Sequence, residues 1–186
     1  MSPFDPKIHH RRSIRLQGYD YTQAGAYFVT MVTRGRECLF GEVINGEMVL
    51  NDLGKIVDEC WRAIPEHFAN VDLGAHIVMP NHGHGVIVIR GDESRSDVGV
   101  MHCIAPTSPE MRPKGAKPAS LGAIIGAFKS AVSYQINREY KITNIWQRNY
   151  YERIIRNERE MDAIWEYIEA NPSAWVDDRE NVAKVR

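Results

Sequence analysis

The sequence predicts an α+β domain of ferredoxin-like βαββαβ type, an antiparallel sheet with helices on one face. Aromatic and β-branched runs alternate with amphipathic helical stretches in the order strand, helix, strand, strand, helix, strand. An Asn45-Gly46 pair splits an early apolar stretch, which inserts a hairpin, and one more amphipathic helix follows the last strand.

The chain has 186 residues, 44% hydrophobic and 25% charged, which suits one domain with a sizeable core plus extensions. Its formal net charge of −1 means that a nucleic-acid partner would need a local basic surface rather than bulk charge. Cys38, Cys60 and Cys103 are scattered with no C-x-x-C pair, against both a disulfide framework and a zinc ribbon. The first ten residues lack an apolar core of signal-peptide type, and no run is long enough to span a bilayer. A cytoplasmic protein without a membrane partner is the expectation.

Residues 1–25 form a basic arm with Lys7, Arg11, Arg12 and Arg15, followed by Tyr19 and Tyr21. Such an arm is either solvated or tracks phosphates and stacks bases. Residues 26–33 are aromatic and β-branched, a central strand, with Arg34 and Arg36 just past its end. A hairpin over 38–50 turns at Asn45-Gly46. Asp52 is the expected cap of a helix over 53–68, whose buried face is Leu53, Ile56, Val57, Cys60 and Ile64. Strands follow over 71–79 and 83–90, separated by a Pro80-Asn81 corner, because proline cannot donate to a ladder.

Residues 91–119 are rich in Ser, Pro, Gly and charge without any period, and read as a flexible insertion. The His102-Cys103 pair within it is an isolated pair. From Ser120 a helix runs to Tyr140 on Leu121, Ile124, Ile125, Phe128, Val132 and Ile136, leaving Lys129 and Arg138 solvated. A strand-like stretch over 144–155 comes next. Asn157 caps a last helix with Met161, Ile164, Trp165 and Ile168 inward, stopping at Asn171 because the residue before Pro172 is pushed out of the α region. The folded domain thus covers 26–175, and a polar tail over 176–186 docks loosely.

His82 and His84 project from one face of an extended strand and make half of a metal site. A pair of structural histidines is the competing reading. On the last helix Tyr167 and Asn171 lie one turn apart, at the edge of the apolar stripe, where a side chain can reach a cleft. A boundary tyrosine and a helix-ending asparagine would look the same.

Three motifs, Met-Pro-Asn-His82-Gly-His84, Trp146-Gln147 with Tyr150-Tyr151-Glu152-Arg153-Ile-Ile-Arg156, and Tyr167-Ile-Glu-Ala-Asn171-Pro172, resemble the single-tyrosine HUH transposases. The branch they resemble is the REP-associated tyrosine transposases, of the IS200-like family, over about residues 20–175. The resemblance implies an HUH palm and a C-terminal nucleophile helix. It implies His82 and His84 as ligands of a divalent metal, Mg or Mn, with Asn171 completing the site, and Tyr167 as nucleophile. One departure is Gly83, where relatives carry a bulky apolar residue, so a looser site is expected.

The activity so implied is metal-dependent nicking and joining of single-stranded DNA through a covalent 5′-phosphotyrosine, with hairpin or repeat DNA as target. Tyr150 and Tyr151 are rival nucleophiles, assigned here to packing or base stacking, and Glu152 is placed near the metal. Arg11, Arg12, Arg15, Arg34, Arg148, Arg153 and Arg156 are the candidate DNA contacts. Two alternatives stand beside this reading: a catalytically silent, domesticated DNA-binding protein, and a metal-dependent hydrolase without a covalent step. A homodimer with shared sites is required if His82 and Tyr167 cannot meet within one chain.

Overall fold

The computed structural model describes residues 19–91, 117–178 and 180–181. Arg11, Arg12 and Arg15 of the basic arm, the His102-Cys103 pair and the end of the polar tail lie outside the described residues. Four strands form the main sheet: β1 (Gly25–Val32), β4 (Val71–Val78), β5 (His82–Ile89) and β6 (Tyr151–Ile155), in the order β4-β5-β1-β6, with every pair antiparallel. This is the arrangement expected of a ferredoxin-like core, with β1 in its centre.

Period-two alternation divides β1 between two cores. Tyr27, Val29 and Met31 face the larger one, built with Trp61, Phe128, Ile87 and Ile89 under helices α1 (Asp52–Arg62) and α3 (Leu121–Tyr140). Ala26 and Phe28 face the smaller one, where Ile164 and Ile168 of α4 (Glu158–Ala170) meet Val86 and Ile155. The first two long helices therefore share a face as expected, and the appended helix takes the opposite face.

The hairpin, β2 (Gly41–Ile44) and β3 (Glu47–Leu50), stands as its own two-stranded sheet. Both turn residues, Asn45 (φ 53°) and Gly46 (φ 81°), are left-handed, as a tight two-residue turn requires. The cap of α1 is Asn51 rather than the expected Asp52: its side chain accepts from Gly54 N–H at 2.9 Å and donates to the Leu39 carbonyl. An amide can serve both groups where a carboxylate can only accept. The helix also stops at Arg62 and resumes as α2 (Ile64–His67), because Pro65 has no N–H to continue the ladder.

The stretch over 144–155 is a strand only from Tyr151. Asn144 (φ 58°) and Asn149 (φ 76°) are left-handed and cannot extend a ladder. The loop is instead pinned from within: Ile145 and Tyr150 are buried, and Trp146 packs 5.3 Å from Phe40 and 5.9 Å from Phe128. Lys129, expected to be solvated, donates to the carbonyls of Gln147 (3.1 Å) and Asn149 and lies over the Trp146 ring. At the other end of the chain, Asn171 keeps α-region angles (φ −58°, ψ −42°) despite the following proline. The turn survives because Ala174 N–H still closes on the Ala170 carbonyl.

Gly83 and Gly85 both face the larger core, but only one of them is obligatory. A Cβ at Gly85 would lie 2.2 Å from the Trp61 ring, whereas one at Gly83 meets nothing closer than the Ile77 carbonyl at 3.6 Å. A methyl group at Gly83 would therefore sit in ordinary van der Waals contact, on the face away from the histidines. Gly85→Ala is expected to destabilise the fold by about 1–3 kcal/mol through overpacking, and Gly83→Ala to stay within about 1 kcal/mol of wild type. Urea unfolding midpoints of the two variants check this, and equal effects would contradict it.

Burial pushes the Lys129 amine down to about 8. The unfolded chain holds that proton to about pH 10.4, so between these values the unfolded state binds more protons and stability rises with pH. Below pH ~8 both states are charged and the folded one carries the desolvation cost. Lys129→Met should flatten the rise in unfolding free energy between pH ~8 and ~10. Denaturant titrations at several pH values read the slope directly.

Candidate active site

The face of the sheet under α4 carries the candidate residues. His82 and His84 project onto it, with 0% and 4% of their surfaces exposed and their ring centroids 4.6 Å apart. The register sets Thr30 directly opposite His84, and its hydroxyl lies 2.8 Å from His84 Nδ1. Phe28, two residues earlier on the same face, stacks against the His84 ring at 5.3 Å.

His82 is held from behind by Asn81, which is fully buried. The Asn81 amide nitrogen donates to the carbonyls of Arg36 (3.1 Å) and Glu180 (2.7 Å), so its oxygen must face His82 Nδ1, 2.9 Å away. A carboxamide oxygen only accepts, so Nδ1 carries the proton and the lone pair sits on Nε2. Burial pushes His82 down to about 4, against the opposing pull of the Asp178 carboxylate and the Asn171 side chain. The ring is therefore neutral at pH 7, the state in which an imidazole could ligate a metal.

Helix α4 brings the tyrosine. Ile164 and Ile168 anchor it on the sheet, and Tyr167, on the adjoining side, reaches back so that its hydroxyl lies 3.2 Å from His84 Nε2. The Tyr167 ring is 44% exposed and meets Phe28 and His84 edge-on. The nucleophile candidate and the histidine pair thus meet within one chain, and the site does not demand a second copy to be complete.

Asn171, one turn on, is buried beside them. Its amide nitrogen lies 3.4 Å from an Asp178 carboxylate oxygen. Asp178 is the residue that reading the sequence missed. Expected to belong to a loosely docked tail, it instead follows a 3-10 turn (Trp175–Asp177) that folds the chain back, with Trp175 5.9 Å from the His82 ring. One ligand atom each from His82, His84 and Asp178 lie within 4.8 Å of one another. Glu180 then ties the segment down through an ion pair with Arg36 at 2.8 Å.

These residues fit a divalent cation. His82 Nε2 and Asn171 Oδ1 are buried acceptors with no hydrogen-bond partner, a costly state that a cation relieves. Two imidazoles with a carboxylate and an amide oxygen suit Mn or Mg, imidazole favouring the former.

A cleft of about 940 Å³ opens beside the centre, and its walls include Tyr151, Glu152, Arg153, Arg159, Tyr167 and Asp178. Of the expected DNA contacts, Arg153 lines this cleft, 3.5 Å from Glu160, whereas Arg34, Arg148 and Arg156 are exposed away from its lining. Arg36 and Arg159 line it without having been singled out as DNA contacts. Tyr150 is a core residue, so of the rival tyrosines only Tyr151 faces the cleft. No helix among the described residues is long and apolar enough to cross a membrane.

No family model matches the sequence. An uncharacterised protein of Haemophilus influenzae is 40% identical over 176 residues, spanning 95% of this chain and 96% of its own. Among solved structures, a REP-associated tyrosine transposase bound to a REP hairpin aligns with a TM-score of 0.55 at 17% identity, over 87% of this chain and 73% of that one. At that identity the likeness is one of fold, and it agrees with the fold that the motifs implied.

Asp178→Asn should weaken Mn²⁺ binding by about tenfold or more, since even residues behind a ligand contribute 10–100-fold. Titration of the free Mn²⁺ signal by electron paramagnetic resonance measures it. Unchanged affinity would remove Asp178 from the ligand set.

Proposed function

The chain belongs to the same family as the Haemophilus influenzae protein and has the fold of the REP-associated tyrosine transposase; from that premise we propose that it nicks and joins single-stranded DNA at hairpin or repeat sequences, through a covalent 5′-phosphotyrosine intermediate. The observation that carries this reading is the Tyr167 hydroxyl, 3.2 Å from His84 Nε2, at the edge of the His82, His84 and Asp178 cluster.

The chemistry asks for a nucleophile, a place for phosphate charge and a way to hold the strand. Free tyrosine titrates near pH ~10, so the Tyr167 hydroxyl needs help to lose its proton at neutral pH. In this structure His84 Nε2 lies within reach of that hydroxyl, while Thr30 steadies the far side of the ring. A divalent cation on His82, His84, Asp178 and Asn171 would supply charge neutralisation at a non-bridging phosphate oxygen. A cation bound at His84 Nε2 would take the place of this contact, and the hydroxyl would then lie beside the metal rather than against the ring.

In-line attack forms the bond from Tyr167 oxygen to phosphorus and breaks the bond to the 3′ oxygen, which leaves and takes up a proton. The phosphodiester energy stays in the tyrosine link. A 3′-hydroxyl attacking that link rejoins a strand without a nucleotide cofactor. Arg153 and Arg159 offer guanidinium groups along the cleft, and Tyr151, 47% exposed, offers a ring for a base to stack on.

The test uses labelled single-stranded hairpin DNA with Mn²⁺ and denaturing electrophoresis. A protein–DNA adduct is expected with wild type and Tyr151→Phe and none with Tyr167→Phe. An adduct that persists in Tyr167→Phe overturns the assignment. Cleavage without adduct favours a hydrolase, and binding without cleavage a silent DNA-binding protein. Tyr151→Ala should weaken DNA binding by roughly 5–150-fold, the worth of one stacked base.

A further inference from the structure

We infer that Asn81 is a positioning residue: it fixes His82 as the Nδ1–H tautomer, and the segment that delivers Asp178 holds Asn81 in that orientation. The inference rests on the metal-dependent reading of the site. Asn81 makes no contact that would place it among the ligands. Its amide is fully buried and uses all three of its hydrogen-bonding directions that the structure records, two donated and one accepted.

The orientation of that amide is not arbitrary. Turning it over would set its oxygen against two carbonyl oxygens, those of Arg36 and Glu180, with no proton between them. With the oxygen facing His82, the ring has to present Nδ1–H to it. The lone pair is then left on Nε2, on the side where Asn171 and Asp178 approach.

Two segments far apart in sequence make this arrangement. The Arg36 carbonyl comes from the turn after β1, and the Glu180 carbonyl from the chain beyond α4. The Arg36 side chain also pairs with the Glu180 side chain at 2.8 Å, with Glu180 only 13% exposed. Two residues before that carbonyl, Asp178 accepts from Glu180 N–H at 2.6 Å, which fixes the carboxylate relative to the same anchor. Docking of this segment therefore sets a ligand and the tautomer of another ligand together.

Long-range proton–nitrogen correlation spectra of the full-length protein, ¹⁵N-labelled at histidine and free of metal, test this alongside Mn²⁺ titration. Wild-type His82 is expected with its proton on Nδ1. In Asn81→Leu, which cannot accept, His82 should populate the Nε2–H form, and Mn²⁺ affinity should fall about 10–100-fold. Wild-type His82 protonated on Nε2 would overturn the inference even if the variant fails to fold. Equal Mn²⁺ affinity in a folded Asn81→Leu variant would do the same while leaving the metal site standing. A wild-type protein that takes up no Mn²⁺ would sink the metal-dependent reading itself, and this role for Asn81 with it.

Discussion

The pairing of β5 with β1 is the constraint on which the rest depends. Its register sets His84 opposite Thr30 and His82 opposite Val32, and strand alternation then sends the glycines and the histidines to opposite faces. On one face Gly85 gives way to the Trp61 ring, which packs edge-on against Phe128 at 5.4 Å and joins α1 to α3. On the other, two imidazoles stand side by side. A slip of one residue would put histidines into the larger core and a glycine into the site. The same backbone hydrogen bonds hold up both the core and the chemistry.

Helix α4 adds a second requirement, that Tyr167 arrive at a fixed height above the sheet. Ile164 and Ile168 do this by burying one stripe against Val86 and Ile155. Tyr167 follows Ile164 by three residues and precedes Ile168 by one, so it leaves the helix about 60° from the nearer edge of that stripe, at the border of the contact. It is thus half exposed and still reaches His84. Helix and strand reach each other across the sheet, which is why the site closes within one chain.

Much of this was legible in the sequence because it follows local periods. The alternation of His82 and His84, the i, i+4 spacing of Tyr167 and Asn171, the Asn157 cap and the Asn45-Gly46 turn all declare themselves over a few residues. The parts that were not legible depend on contacts distant in sequence. Asn51 outcompetes Asp52 as a cap because it also reaches the Leu39 carbonyl. The loop before β6 is loop because Lys129, on another element, takes its carbonyls. Asp178 lies in a polar stretch without a period, seven residues past Asn171. Only the fold-back through Trp175 brings it beside the histidine pair as a candidate ligand. The exposed set of expected arginines fared unevenly for the same reason: charge is written in the sequence, but which charges share a cleft is not.

Burial explains why the site tolerates groups that folding alone would avoid. A buried acceptor with no partner costs about 1–3 kcal/mol, and here His82 Nε2 and Asn171 Oδ1 are two of them. Neither is on the face that holds most of the core. That face, with Trp61, Phe128 and the aliphatic ends of β1 and β5, holds most of the buried apolar surface, and the Trp61 and Trp146 indole N–H groups there lack a partner too. An arrangement built only for stability would have replaced these two atoms with apolar ones of similar shape. What sets these two atoms apart is their company: an Asp178 carboxylate within ligand distance and a half-exposed tyrosine beside His84, the arrangement a divalent cation would need.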